Sequence, residues 1–402
     1  MSGSRRVAVY DLHWATVGGG EQVAGAAVEA LVAAGHAVDM LGPEPIDRTV
    51  LRERLGVDVS GASFRVVDRE LGAASASGDY DLFVNVTYRS TAPSHAGAGL
   101  YYVHFPEPPR TAGGRLGDAL GRGVIGLVDH TALRRLRPVA VARDEVALRT
   151  RRRDYVATYH QFAGNSHFTN EWVRALWGVE PVLLYPPVHP LRPAGQRRRT
   201  IVSVGRFFEA RHGHSKKQLE MVEAFRSLAR QGRTDGWELV LLGGCDADNR
   251  EYLLEVRRAA VGLPVTIHVN APGDLVRCCM GEAAIYWHAA GFGEDAERHP
   301  ERFEHFGIAV VEAMSAGAVP IVFDAAGPSE IVVESVSGRR WRTLDELAAI
   351  TGELIADEQA RATLAAGAAT RSADFTGQVF HRELRRLTAA LLDAGEGPSD
   401  IG

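Results

Sequence analysis

Two glutamates stand eight positions apart within Glu304–Gly317, on either side of a Phe-Gly pair. We expect a helix over Ile308–Ala316, with Glu304 in the loop before it and Glu312 in its first turn. A helix start offers unpaired N–H groups and a positive dipole end, which suit a phosphate, and Gly307 permits close backbone approach. Carboxylates on both sides can accept hydrogen bonds from sugar hydroxyls. The stretch suits a nucleoside-diphosphate sugar, although a solvated loop acid beside a helix-dipole acid would give the same pattern.

A second set of candidate residues consists of cations around one predicted strand. Gly205 and Arg206 end that strand, and the pair Lys216-Lys217 opens the next predicted helix. Parallel α/β sheets hold ligands at the carboxyl ends of their strands, so both kinds of cation would lie at that edge. Arg and Lys there can neutralise a diphosphate and the charge that grows on it as it leaves. Two ordinary surface cations are the alternative interpretation.

The elements that must position these residues follow a repeated order of strand, glycine-rich turn and helix. Short apolar runs between helices are typical of a parallel sheet buried on both faces, so we predict an α/β fold. Tyr185-Pro186-Pro187 and the non-periodic Pro190–Arg199 predict a linker between two halves of near-equal size. The predicted strands are Arg6–Tyr10, His36–Leu41, Phe64–Val67, Asp81–Val86, Gly99–Val103, Gln161–Ala163, Val182–Leu184, Thr200–Val204, Trp237–Leu242, Val265–Val269, Ala283–Trp287 and Val319–Phe323. The predicted helices are Glu21–Ala34, Lys217–Arg230, Ile308–Ala316 and Gly377–Ala394.

Composition excludes several classes of protein. The 402 residues are 46% hydrophobic and 24% charged, which excludes wholesale disorder. The net charge of −5 argues against broad nucleic-acid binding. No run of about 18 apolar residues predicts a membrane span, and the amino-terminal run, broken by Asp11 and His13, is typical of a strand rather than a signal peptide. Three cysteines, Cys245, Cys278 and Cys279, are too few and too badly spaced for a disulfide framework or a zinc site. We expect a cytoplasmic protein, with the last two cysteines buried in a helix.

Glu304–Gly317, Gly205-Arg206 with Lys216, and Pro320–Glu330 together resemble the retaining family-4 glycosyltransferases of the GT-B fold. Glu304 and Glu312 match the family's E-x7-E motif. The resemblance implies two Rossmann-like parallel-sheet domains facing a central cleft. It implies an acceptor-side domain over 1–187, a nucleotide-sugar donor domain over 188–376, and a carboxyl-terminal helix with a tail over 377–402 that crosses back to the first domain.

The resemblance implies a role for each matching residue. Arg206 and Lys216 would contact the donor diphosphate, with Lys217 as the substitute because the register of an adjacent pair is uncertain by one. Glu304 would hold the transferred sugar, and Glu312 the ribose hydroxyls. The implied catalytic residues are Arg206, Lys216, Glu304 and His104. The implied donor-binding residues are Gly19, Gly20, Gly205, Lys217, Val269, Asn270, Phe306, Gly307, Ile308 and Glu312.

Several of these residues keep a competing interpretation. Gly18-Gly19-Gly20 would let the first domain approach the donor phosphates or the acceptor, yet a plain tight turn before a helix fits too. His104 matches a histidine that approaches the transferred sugar, although a lone histidine in an apolar run is more often structural. His288 also ends a predicted strand, with weaker support. For Asn165-Ser166 we favour capping of the following helix, and Ser329-Glu330 is a helix start that lies near the donor in the family.

The predicted reaction moves a hexose, with mannose favoured, from a nucleotide sugar to an acceptor hydroxyl with retention at the anomeric carbon. The similarity of Glu304–Gly317 to mannosyltransferases of oligosaccharide assembly favours a GDP-sugar, with a UDP-sugar next. We expect no cofactor and no metal, because no Asp-x-Asp cluster is present and Arg206 and Lys216 can replace a divalent cation. A nucleotide-sugar epimerase, a phosphorylase and a non-catalytic nucleotide-sugar-binding subunit are the alternatives.

The acceptor is the least defined partner in the sequence. A glycan, a glycolipid and a small natural product all remain open, as does the oligomeric state, and no nucleic-acid partner is expected. Residues 110–153 are rich in arginine, and a solvated basic face is the interpretation we favour for them. Contact of this segment with the inner face of a membrane is the sharper alternative.

Overall fold

The computed structural model describes residues 3–107, 155–193, 195–209 and 215–394. Contacts divide the chain into two compact units. The first consists of Met1–Asn165, Thr169–Leu184 and His381–Gly402, and the second of Ser166–Phe168 and Tyr185–Phe380. The Arg-rich stretch 110–153, for which the sequence suggested a membrane contact, lies outside the described residues.

The first unit contains a seven-stranded sheet in the order β3-β2-β1-β4-β5-β6-β7, and every pairing is parallel. Its strands are β1 (Arg6–Tyr10), β2 (Ala37–Gly42), β3 (Ser63–Val66), β4 (Leu82–Asn85), β5 (Ala98–Val103), β6 (Gln161–Gly164) and β7 (Val182–Leu183). The described helices between these strands are α1 (Gly19–Ala33), α2 (Arg48–Leu55), α3 (Arg69–Ser77) and α4 (His167–Trp177).

The strand order of this sheet reverses between β1 and β4, which makes that place its topological switch point. Apolar residues fill the central strands because helices cover both faces: β1 is buried from Val7 to Tyr10. Helix α1 ends as the sequence predicts, since Gly35 takes the left-handed conformation, with φ of +86°, that follows a helix end. Tyr101, Tyr159 and Trp177 pack in an aromatic cluster on one side of the sheet.

The second unit contains a six-stranded parallel sheet in the order β10-β9-β8-β11-β12-β13. Its strands are β8 (Arg198–Val204), β9 (Glu238–Gly243), β10 (Val265–Val269), β11 (Ala283–His288), β12 (Val319–Phe323) and β13 (Arg339–Trp341). Its helices are α5 (Gln218–Arg230), α6 (Arg250–Ala260), α7 (Gly273–Glu282), α8 (Ile308–Ser315), α9 (Ala326–Ile331), α10 (Leu344–Ala356) and α11 (Glu358–Ser372), and α12 (Gly377–Ala394) closes the described chain.

Two apolar cores cover the faces of the second sheet. One core packs α5 against the strands through Phe225 and Trp287, whose indole N–H donates to Thr351 Oγ1 at 3.0 Å. The other core packs α8 against the opposite face through Val310 and Met314. The switch point of this sheet lies between β8 and β11, so a ligand site is expected where those two strands end.

The α/β class and every strand predicted from the sequence are confirmed, with bounds that differ by no more than two residues. Three details are wrong. Ser329-Glu330 is not a helix start, because α9 begins at Ala326. Helix α8 begins at Ile308, which puts Glu312 in its second turn rather than its first. Cys278 and Cys279 lie in α7 as expected, but Cys278 is exposed, and Cys279 is only half-buried although it packs against the core that contains Val310 and Met314. Among the described helices, none is long and apolar enough to cross a membrane.

Candidate active site

The carboxyl edge of the second sheet collects several of the predicted residues at its switch point. Gly205 and Arg206 follow β8, and His288 is the last residue of β11. Lys216 lies just before α5, and Glu304 lies in the loop that leads into α8. These two strands are hydrogen-bonded neighbours in the sheet, so residues far apart in sequence meet at one edge.

Position 205 requires glycine because a side chain there would occupy the space of the Lys216 side chain. A Cβ at Gly205 would lie 2.5 Å from Lys216 Cγ, well inside contact distance. The backbone of Gly205 is held on both sides: its N–H donates to Leu242 O at 2.9 Å, and its carbonyl accepts from Gln218 Nε2 at 3.1 Å. The missing side chain therefore fixes the path of the Lys216 stem across the end of β8.

Lys216, Glu304 and His288 form a connected polar group. Lys216 Nζ makes an ion pair with Glu304 Oε2, and His288 Nε2 lies 3.4 Å from the same oxygen. Burial lowers the pKa of His288, against the opposing effect of Glu304, so the imidazole is neutral near pH 7. The Lys216 and Glu304 side chains keep 18% and 20% exposure, which leaves both accessible to a ligand. This arrangement offers one cation and one carboxylate to a diphosphate and its sugar.

Lys217, the neighbour of Lys216, is directed to a different carboxylate. Its Nζ lies 2.7 Å from Glu294 Oε1, and Arg302 Nη1 lies 2.9 Å from Glu294 Oε2. The side chains of Lys217 and Glu294 are only 8% and 9% exposed. Lys217 has a φ of +59°, a left-handed conformation that turns it away from its neighbour. Of the lysine pair, only Lys216 faces Glu304.

The start of α8 supplies amide groups beside Glu304. Gly307, with φ of +113°, is the residue before the helix, and a Cβ on it would lie 3.5 Å from Glu304 Cγ. Among the described residues, none accepts a hydrogen bond from the N–H groups of Gly307, Ile308 and Ala309. The helix start is therefore free to bind an anion. Phe306 differs, because its ring is buried, 5.5 Å from the ring of Phe375, so only its backbone faces this region.

Glu312 carries an unusual carboxyl group. Burial raises its pKa to about 7, and the charge of Arg277 opposes that rise. Within the described part of the chain its side chain has no hydrogen-bond partner, although Glu304 is engaged with Lys216 and His288. The two motif glutamates thus differ in environment: Glu304 is paired, and Glu312 is available to hydroxyl groups.

Arg206 and Asn270 border the same loop, which follows β9. The guanidinium of Arg206 lies over the Phe208 ring, 4.6 Å from its centroid. A Cβ on Gly244 would lie 3.6 Å both from Arg206 Cγ and from Asn270 Oδ1. Asn270 has a left-handed φ of +52° and clamps Cys245, accepting from its N–H at 3.0 Å and donating to its carbonyl at 3.2 Å.

The Asn270 clamp has a consequence for the donor-binding role that the resemblance implies for Val269 and Asn270. Because the amide side chain is occupied by the backbone of Cys245, it shapes the loop that follows β9. Val269, the last residue of β10, pairs with Gly243 at the edge of the sheet. The structure thus places both predicted residues beside this loop, with the Asn270 side chain in a structural contact.

The carboxyl edge of the first sheet carries the predicted glycines and His104. Gly18 precedes α1, and its N–H donates to Glu21 Oε2 at 2.5 Å. A Cβ on Gly20 would lie 3.7 Å from His104 Cε1. His104 Nε2 lies 2.8 Å from Val86 O, so that nitrogen carries the proton and donates. Burial lowers the pKa of His104 to about 4, so the ring is neutral near pH 7 with Nδ1 as an acceptor.

Two other residues that the sequence suggested, Asn165 and Glu330, make contacts that indicate a structural role. Asn165 Nδ2 donates to His104 O at 2.9 Å, which ties the end of β6 to the end of β5. Glu330 accepts from the N–H groups of His167 and Phe168 at 2.9 and 2.7 Å, so its carboxylate sits at the first turn of α4.

Sequence reasoning missed Glu294 and Arg302 and gave His288 little weight. The stretch between β11 and Glu304 has no hydrophobic period, so nothing in it predicted a buried ion pair. The described parts of the chain contain no group of three or more His, Cys, Asp or Glu residues that could hold a metal ion.

Comparison with known proteins places the second unit in a family. Residues 192–371 match the family model described as "Glycosyl transferases group 1". Among curated proteins, the GDP-Man:Man(3)GlcNAc(2)-PP-Dol alpha-1,2-mannosyltransferases are similar: that of Dictyostelium discoideum is 28% identical over 48% of this chain and 39% of its own length. That of Homo sapiens is 29% identical over 42% of this chain and 35% of its own length. The matches thus cover less than half of these relatives.

Solved structures resemble the whole chain. A glycosyltransferase from Rickettsia africae superposes with a TM-score of 0.66 at 12% identity, over 97% of this chain and 99% of that one. Anabaena HepE in complex with UDP gives 0.65 at 15% identity, over 96% and 100%. WaaG, a glycosyltransferase involved in lipopolysaccharide biosynthesis, gives 0.60 at 14% identity, over 96% and 99%. The fold is GT-B, and residues 192–371, which contain Arg206, Lys216, Glu304 and Glu312, form a domain of the group 1 glycosyltransferases.

Proposed function

We propose that this protein transfers a hexosyl group from a nucleoside-diphosphate sugar to an acceptor hydroxyl, with retention at the anomeric carbon. The observation that carries the proposal is the ion pair of Lys216 and Glu304 beside the free amides of α8, in a domain of the group 1 glycosyltransferases. A cation and a helix start suit a diphosphate, and the carboxylate suits the hydroxyls of the attached sugar.

In the proposed reaction the bond from the anomeric carbon to the diphosphate oxygen breaks, and a bond to the acceptor oxygen forms on the same face. The acceptor proton passes to the leaving diphosphate oxygen. The protein supplies position and charge: Lys216 and Arg206 balance the negative charge that grows on the diphosphate, together with the amides of Gly307 and Ile308. Loss of one such contact costs about 3 kcal/mol in the transition state, which is about 100-fold in rate.

The donor we favour is a GDP-sugar with a mannose-type hexose. The curated relatives carry GDP-Man and mannosyltransferase in their names, which supports this choice. The HepE structures contain UDP and UDP-glucose, which makes UDP-sugars the second candidate. Glu312, whose carboxyl group has no hydrogen-bond partner among the described residues, would accept from the ribose hydroxyls, a contact that does not depend on the base.

We also propose that the reaction needs no divalent metal and that the protein works in the cytoplasm, with contact to the membrane surface through residues 110–153. The support for the first is the position of Lys216, which supplies the cation that a metal would otherwise provide. The support for the membrane contact is the density of arginine in residues 110–153, because these cations attract anionic lipid.

The test is turnover of GDP-mannose and UDP-glucose by the purified protein, with EDTA present, read as nucleotide released and as sugar transferred to an acceptor panel. Lys216→Met and Glu304→Gln should lower the rate about 100-fold, and Arg258→Met, on an exposed position of α6, should leave it unchanged. Absence of both hydrolysis and transfer in the wild type, with nucleotide still bound, would show a binding subunit instead.

The same assay separates the other two enzyme classes. A phosphorylase would require inorganic phosphate for turnover, and an epimerase would convert the donor with no acceptor present. Retention is read from the anomeric configuration of the product by NMR, and an inverted product would contradict the proposed mechanism.

A further inference from the structure

The loop after β4, Thr87–Ser90, presents two large side chains at the carboxyl edge of the first sheet. Strand β4 lies between β1 and β5 in that sheet, so its loop stands between the glycine turn and His104. Tyr88 is 43% exposed, and Arg89 is exposed beside it. A tyrosine combines an apolar ring with a polar hydroxyl, which suits it to bind a ligand at a partly exposed edge.

The loop is anchored from beneath by buried hydrogen bonds. Tyr101 Oη donates to Ser90 O at 2.9 Å and lies 3.4 Å from Thr87 O. Asn85 Nδ2 donates to Ser90 Oγ at 3.0 Å, and Leu12 N–H donates to Thr87 Oγ1 at 2.9 Å. Both ends of the loop are thus fixed to the sheet, and the two residues between them are held outward.

The backbone of Arg89 is held in a conformation that residues other than glycine do not favour. Its φ of +58° is left-handed, which costs a non-glycine residue about 1 kcal/mol. Such strain is maintained only where the surroundings determine it, and it concentrates at functional sites. The guanidinium lies over the Tyr88 ring, 5.0 Å from its centroid. Among the described residues, no carboxylate pairs with Arg89, so its fork of N–H donors is open to an anion.

The pair also lies next to His104. The Tyr88 and His104 rings meet edge to face, with centroids 6.3 Å apart. His104 is neutral and has Nδ1 available, as described above. An aromatic ring, an unpaired guanidinium and a neutral imidazole acceptor therefore share one edge of the sheet.

We propose that Tyr88 and Arg89 form the acceptor subsite and that the acceptor is a sugar carrying a phosphate group. This rests on the proposed function, because it names the acceptor for the same reaction. A guanidinium fork matches the oxygens of a phosphate in a bidentate geometry. The exposed part of the Tyr88 ring offers an apolar surface to the C–H face of a pyranose. A soluble sugar phosphate and the phosphosugar head group of a lipid share this chemistry.

The test is calorimetric titration of the full chain, without nucleotide, with mannose, glucose and their 1- and 6-phosphates. A second arm uses phosphatidylcholine vesicles with and without polyprenyl phosphomannose, and it distinguishes a lipid source from a soluble one. We expect at least one phosphorylated probe to bind tightly, and Arg89→Gln to weaken it at least about tenfold. Tyr88→Leu should weaken it too, and Tyr88→Phe less so. The control, Arg54→Gln on exposed α2, should bind as the wild type does.

Arg89→Gly separates a binding role from a structural one. Glycine relieves the left-handed strain, so this variant should melt no lower than the wild type and yet lose the phosphorylated probe. The proposal is overturned if the wild type binds phosphorylated and plain sugars equally, or if it binds neither. It is also overturned if Arg89 variants bind the phosphorylated probe as tightly as the wild type. A thermal shift of the wild type with GDP or UDP reports separately on the proposed donor site, so failure of one proposal is not failure of the other.

Discussion

Substitution of the two adjacent lysines by methionine should give opposite results. Lys216→Met should abolish most of the turnover and leave much of the stability, because Lys216 faces the ligand edge with Glu304. Lys217→Met should reduce the stability first, because its charge lies in a nearly buried network with Glu294 and Arg302. Methionine keeps the length of both side chains and removes only the charge.

The size of the Lys217 effect follows from its surroundings. Breaking a buried ion pair by removal of one partner costs about 3–5 kcal/mol. Arg302 remains 2.9 Å from Glu294 and is itself one-third exposed, so we expect the lower end, about 3 kcal/mol. In a unit of this size that corresponds to a fall in melting temperature of roughly 6–12 °C.

The assay is thermal and urea unfolding of wild type and variants, followed by circular dichroism, with donor hydrolysis measured in parallel. A pH series adds a check on the cause. Burial raises the pKa of Glu294, but the hydrogen bonds from Lys217 and Arg302 outweigh it, and the net shift is downward from 4.5. The stability from Glu294 is therefore present above pH 4.5 and lost in more acidic solution. The difference in stability between wild type and Lys217→Met should therefore narrow below pH 4.5.

The opposite ranking would refute this reasoning. If Lys217→Met melts with the wild type and Lys216→Met unfolds early, the two side chains do not have the roles that their contacts indicate. A gap in melting temperature that stays constant from neutral to acid pH would show that the carboxylate of Glu294 is not the source of the stability.

Three further predictions concern the two sheet edges. Burial raises the pKa of Glu312 to about 7, so nucleotide affinity should rise between about pH 6 and 8 as the carboxylate forms. Titration calorimetry should show this rise in the wild type and an affinity independent of pH in Glu312→Gln. The same pH dependence in both proteins would contradict the ribose contact. Gly205→Ala puts a Cβ 2.5 Å from Lys216 Cγ and should lower the donor hydrolysis rate at least about tenfold by displacing the cation; an unchanged rate would remove Lys216 from the reaction. Gly20→Ala meets His104 Cε1 at an ordinary 3.7 Å, so it should melt with the wild type yet slow transfer to acceptor, and unimpaired transfer would reduce the glycine to a turn residue.

The sequence predicted the strands well because each is a short apolar run buried on both faces. Among the helices that it missed, α4 and α6 do have one apolar face, whereas α3 and α11 have low contrast between faces. Helix α11 is built from alanine, glycine and small polar residues, and α3 likewise, so neither shows an apolar stripe. These helices are specified by the sheet on which they pack, which a local pattern does not contain.

The candidate site likewise contains residues that the sequence could predict and contacts that it could not. The motif glutamates and the Gly205-Arg206 turn were predicted because their residue types follow strand ends directly. The pairing of Lys216 with Glu304 joins residues 88 positions apart, and the choice between the two lysines depends on the backbone angle of Lys217. Glu294 and Arg302 lie in a stretch without periodicity, and Tyr88 and Arg89 depend on buried anchors that come from three different strands and loops.

The assignment of His381–Gly402 to the first unit has a consequence for synthesis on the ribosome. The amino-terminal unit includes residues that are translated only after the whole second unit, and His381 Nε2 among them lies 3.5 Å from Glu29 Oε2 of α1. All residues of the second unit leave the exit tunnel before that contact can form. The unit whose translation begins first is therefore completed only after the second unit has been synthesised, and a nascent chain released before His381 would leave Glu29 of α1 without this neighbour.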